Sequence, residues 1–210
     1  MPSRDVSVAS LESMATPARA DAGTADELVW LQRALFVLVR PREVLALLRD
    51  DSEAAARARS EAVLALVWLS GIAAVLWTPT YGHLQDDVAN DALNVAVIAF
   101  IGGGLYGTLV YFLGGLVLYA LTRVSGGVTY RQARHVLAFA SAPVALSLFL
   151  VFPVRVAVYG DDIFKRGGAD HGAGNAAFIV IELAFVAWAL ALLVLGLRLL
   201  LRREPRFERL

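Results

Sequence analysis

Cysteine is absent from the 210 residues, which excludes disulfides, thiolate nucleophiles and cysteine-based metal sites together. Lysine is nearly absent: Lys165 is the only one, and every other basic side chain apart from histidine is an arginine. Charge of either sign is sparse, at 18% of residues with a formal net charge of +0, so no bulk field points to nucleic acid or to an acidic partner. Enzyme signatures are missing as well. There is no H-E-x-x-H, G-x-S-x-G, Walker A or dinucleotide fingerprint. These absences point away from an enzyme, call for no cofactor, and leave no small-molecule substrate to identify.

What the chain does have is apolar length. It is 58% hydrophobic with a mean hydropathy of +0.63, and the apolar residues are gathered into runs rather than spread as stripes. A helix needs about 20 residues to cross a hydrocarbon core about 30 Å thick. The expected fold is therefore all-α, a polytopic helical bundle in a lipid bilayer. It has four transmembrane helices at about 62–78, 92–122, 136–153 and 176–201, and short interfacial helices ahead of them. Residues 1–23 read as a disordered tail, 24–51 as interfacial or amphipathic helices, 52–203 as the transmembrane domain and 204–210 as a terminal tail. Thr24-x-x-Glu27 makes a capping box ahead of Leu28–Arg40, with Trp30 at headgroup depth, and Pro41 restarts the chain as a helix that lies on the membrane or against its neighbours.

The second run is long for one crossing and short for two, and its Gly102-Gly103-Gly104 offers a hairpin that would make five spans. Charge decides for four. Arg33, Arg40, Arg42, Arg49, Arg57 and Arg59 precede the first span, and Thr78–Asp91 holds acids but no Arg or Lys. Arg123, Arg131 and Arg134 follow the second span, a mixed loop the third, and Arg198, Arg202, Arg203, Arg206 and Arg209 the fourth. Since basic flanks stay in the cytoplasm, this alternation puts both termini there, in the plasma (inner) membrane.

Between the second and third spans lies the elbow Ser125–Pro143. Gly126-Gly127 can take positive φ and end a helix, and Thr129 can cap the next. Tyr130 would sit at the interface, while Arg131 and Arg134 reach lipid phosphates or act as a docking surface. Pro143 removes an N–H and kinks the third span, releasing the Phe139 carbonyl. His135, near these arginines, reads as an interfacial histidine or a pH-sensitive one. This pattern of Gly126-Gly127, Tyr130-Arg131, Arg134, Ala138–Ala140 and Pro143, with the upstream Arg40-Pro41-Arg42-Glu43-Val44-Leu45, resembles the bacterial branch of the Yip family. The resemblance covers about 28–203. It implies an integral membrane protein without known catalytic residues, and it does not carry the Rab-linked role of the eukaryotic members to this chain.

Three further features complete the reading. Gly103-x-x-x-Gly107, with Gly114 one heptad beyond, permits close helix contact within the chain or between copies. Glu182 is the one clear acid inside an apolar run, either paired by water or Arg155 or marking an ion path. His83, Asp86 and Asp87 in one outer loop and Asp161 and Asp162 in another have the composition of a divalent-cation site, set against a plain solvated acidic face. The function this favours is a non-enzymatic membrane organiser or scaffold, whose partners are the lipid bilayer and other membrane proteins or itself. The alternatives are a small transporter or channel component using Glu182, or a lipid-acting enzyme built on the acidic loops.

Overall fold

A computed structural model of the chain describes residues 29, 32–78, 92–123, 127–165 and 173–202. Helices α1 (Pro41–Ala46), α2 (Glu53–Ala58), α3 (Ser60–Leu76), α4 (Ala92–Arg123), α5 (Tyr130–Ala140), α6 (Ala142–Leu150), α7 (Phe152–Tyr159) and α8 (Ala173–Leu201) follow a short helical stretch at 32–36. A 3-10 turn, Leu47–Arg49, continues α1, and another, Gly160–Phe164, follows α7. No strand occurs among the described residues, and the fold is an all-α polytopic bundle.

Three helical units are long and apolar enough to cross a membrane: Leu93–Arg123, Tyr130–Tyr159 and Ala173–Leu201. At about 1.5 Å per residue, the 32 residues of α4 reach about 48 Å, well beyond the hydrocarbon core. That length fits the single tilted helix expected, with no hairpin at Gly102–Gly104. The fourth apolar helix, α3, has 17 residues and spans about 26 Å.

Burial is inverted relative to a water-soluble bundle. Leu93, Leu105, Leu109, Leu121, Val180 and Leu183 stand more than half exposed on α4 and α8, which is the surface lipid tails solvate. What is buried lies at the helix crossings. Gly71 of α3 faces Gly103 and Gly107 of α4 so closely that a Cβ built on Gly71 would strike the Gly103 carbonyl oxygen and come within 2.8 Å of Gly107 Cα. Further along α4, Gly114 and Gly115 face Leu137 and Arg134 of α5. The small-residue stripe of α4 thus meets two partners within the chain.

The third spanning unit is broken twice. Ser141 interrupts it between α5 and α6, donating its N–H to Leu137 O at 3.0 Å and its hydroxyl to Ala138 O at 2.8 Å. Pro143 and Pro153 each sit in the first turn of the helix that follows, where the missing N–H is no loss. Helix therefore continues through Pro153 to Tyr159, beyond the bound of about 153 expected for the third span. Gly160, with φ 58°, is the only positive-φ residue among those described. Gly127 is not left-handed, so the elbow does not use it as expected, and Gly126 lies outside the described residues.

The segment ahead of α3 packs against the bundle. Leu45 and Leu48 are fully buried and Val44 nearly so, joined in one core with Val63, Val67, Val136, Phe139 and Leu200. One face of this helix thus packs against its neighbours in the bundle.

Candidate polar latch at the basic end

The turn Asp50-Asp51-Ser52, between α1 and α2, collects polar partners from three separate stretches of sequence. Asp50 accepts from the Ser52 N–H at 3.0 Å, and Ser52 caps α2 by accepting from the Ala55 N–H at 3.3 Å. This short-range chemistry fixes the turn and aims the Asp51 carboxylate at the start of α5. There Thr129 caps α5 in a reciprocal box with Gln132 and donates its hydroxyl to Asp51 Oδ2 at 2.8 Å. Arg131 donates from Nε to Asp51 Oδ1 at 2.6 Å and from Nη2 to the Asp51 carbonyl.

Behind this pair lies Arg59, in the turn between α2 and α3 and fully buried. Its Nε donates to His135 Nδ1 at 2.8 Å and its Nη1 to the Asp50 carbonyl at 2.9 Å, while Nη2 lies 3.9 Å from Asp51. An imidazole that accepts at Nδ1 carries its proton on Nε2, so His135 is the neutral Nε2–H tautomer here. Burial opposes ionisation of Asp51. The hydrogen bonds from Arg131 and Thr129 and the charges of Arg131 and Arg59 outweigh it and hold the carboxyl below its ordinary 3.8. A folded-state value below the unfolded one means this contribution to stability is complete at neutral pH. It fades only as pH falls through 3.8 and below.

A second fastening reaches the end of the bundle. Arg49 donates from Nε and Nη2 to the Leu199 carbonyl at 3.2 and 2.9 Å and from Nη2 to Arg202 O at 3.4 Å. The guanidinium thereby satisfies carbonyls at the C-terminus of α8 and meets the negative end of its dipole. Gln132 closes the ring by donating Nε2 to the Arg49 carbonyl at 3.0 Å. The arrangement positions and fastens helices.

The elbow residues find partners within the chain. Arg131 is taken up by Asp51. Arg134 lies over the rings of Tyr130, Phe112 and Tyr111, at 4.5, 5.0 and 5.2 Å. Tyr130 donates its hydroxyl to Phe112 O at 3.0 Å. His135 is buried behind Arg59 rather than standing at the interface. Glu182 is buried and accepts from Ser147 at 2.9 Å, while Arg155 lies 4.6 Å over the Trp77 ring. Asp51 and Arg59 carry the latch and were not singled out from the sequence. The available signal was two adjacent acids in a flank otherwise rich in arginine.

Of the proposed metal ligands, His83, Asp86 and Asp87 lie outside the described residues. So does the Asp161 side chain, and Asp162 stands 3.6 Å from Lys165 Nζ. Among the described residues no group of three or more His, Asp or Glu side chains is placed to hold a metal.

The latch and helices α1 to α8 all fall within residues 35–206, which match the family model described as Yip1 domain. No curated protein and no solved structure matches the chain. With most of its length matched, the chain belongs to the Yip1 domain family of membrane proteins.

Proposed function

We propose that this protein is a non-enzymatic, multi-pass membrane organiser that docks partner proteins on its basic face, in the cytoplasm of a bacterium. In this reading the chain crosses the plasma (inner) membrane four times with both termini inside, following the alternation of basic and acidic flanks. The Yip1 domain family is not a known enzyme family. The single observation that supports docking is the latch. Asp51, Arg59 and Arg49 fasten α1 and α2 to the bundle, so Arg42, Glu43, Glu53 and Arg57 are presented on a fixed platform. A rigid display binds with less ordering cost than a mobile one.

Photocrosslinkers placed at Arg42 and Glu53 in native membranes should capture a reproducible partner or a second copy of this chain. The yield should drop in Asp51→Asn, which loosens the platform. A protein that crosslinks to lipid alone at both positions contradicts the proposal.

A further inference from the structure

Below the latch, α3 and α4 diverge and leave a cleft of about 340 Å³. Its apolar walls include Leu64, Val67 and Phe112, its rim carries Glu61, and Tyr111 and His135 also line it. Three features give it chemistry. His135 is a buried residue that lines the cleft, and because its Nδ1 is taken by Arg59, its Nε2–H is the donor it can offer there. The guanidinium of Arg134 is not in the lining but next to it, 4.5 Å from the Tyr130 ring and 5.0 and 5.2 Å from Phe112 and Tyr111, which do line the cleft; it has no carboxylate partner among the described residues, and its Nε is buried without a hydrogen bond. Glu61 is exposed and likewise has no described ion-pair partner.

We propose that this cleft binds a glycerophospholipid whose headgroup carries both a phosphate and a primary ammonium. The occupant follows from where the cleft lies and from its charges. A groove between helices of a membrane bundle opens on lipid, and Leu64, Val67 and Phe112 match an acyl chain. Arg134 supplies a cation whose rings hold it in place for the phosphate, and His135 Nε2–H supplies a donor for a phosphate or ester oxygen. The Glu61 carboxylate accepts hydrogen bonds from a primary ammonium, which a quaternary ammonium cannot donate. A purely anionic headgroup would meet Glu61 as a like charge. This assignment does not rest on the docking role, and it holds or fails whether or not a protein partner is found.

The test uses the purified full chain in detergent, titrated with short-chain phosphatidylethanolamine, phosphatidylcholine, phosphatidylglycerol and diacylglycerol, with binding read by native mass spectrometry. The ethanolamine lipid should bind about fivefold more tightly than the choline and glycerol lipids, the size of one partly exposed ion pair, and diacylglycerol should bind most weakly. Glu61→Gln, at an exposed position that keeps the fold, should erase the preference for ethanolamine over glycerol headgroups. Arg134→Gln should weaken all three phospholipids alike. Equal binding of the four lipids overturns the proposal, as does an unchanged headgroup preference in Glu61→Gln.

Discussion

Arg59→Leu should lower the unfolding free energy by about 3 kcal/mol, read as a fall in the thermal midpoint of the purified protein. The side chain is fully buried and makes charge-assisted hydrogen bonds to His135 Nδ1 and the Asp50 carbonyl. Leucine fills similar volume but leaves both acceptors without a donor, each costing about 1–3 kcal/mol when desolvated, and takes a cation from beside Asp51. Burial of the leucine side chain returns part of that loss. Arg59→Lys keeps the charge but replaces a planar fork by a single ammonium, which cannot reach both acceptors with the same geometry, so it should recover only part of the midpoint. An unchanged midpoint in Arg59→Leu would show that the latch does not hold the helices.

Gly71→Ala should cost about 2–3 kcal/mol, although it adds one methyl group and improves helix propensity. The new Cβ falls on backbone, the Gly103 carbonyl and Gly107 Cα and N, and backbone has no rotamer to move out of the way. Only separation of α3 from α4 relieves the contact, and that opens the densest crossing in the bundle. Gly102→Ala is the matched control, because a Cβ there meets nothing within 4 Å. It should be neutral or slightly stabilising. Similar midpoints for the two variants would mean that the backbones do not touch at this crossing.

The contrast between Gly71 and Gly103 shows which part of the fold a sequence carries. Gly103 and Gly107 lie four apart on one helix, and that spacing is visible in one run. Gly71 stands alone in its helix, and its importance comes from what lies opposite. Long apolar runs, the Thr129 cap and the uninterrupted α4 were legible because each depends on neighbours in sequence. The latch was not, because Asp51 and Arg131, or Arg59 and His135, are brought together by packing, and no local pattern marks them as a pair. That helix continues past Pro153 is hidden in the sequence for a related reason. A proline ends a helix or begins one according to which side the backbone breaks on, and Val151 breaks just before it. Glu182 was conspicuous in sequence, yet its contact with Ser147 required knowing which face of α6 meets α8.

In the proposed topology, the latch and the Gly160–Phe164 end of the bundle lie on opposite sides of a bilayer. The absence of native cysteine allows a direct measurement, with Glu53→Cys and Lys165→Cys introduced singly and treated with a membrane-impermeant maleimide in intact cells. Lys165→Cys should label at once and Glu53→Cys only after permeabilisation. Labelling of both positions from the same side, before or after permeabilisation, would contradict the account.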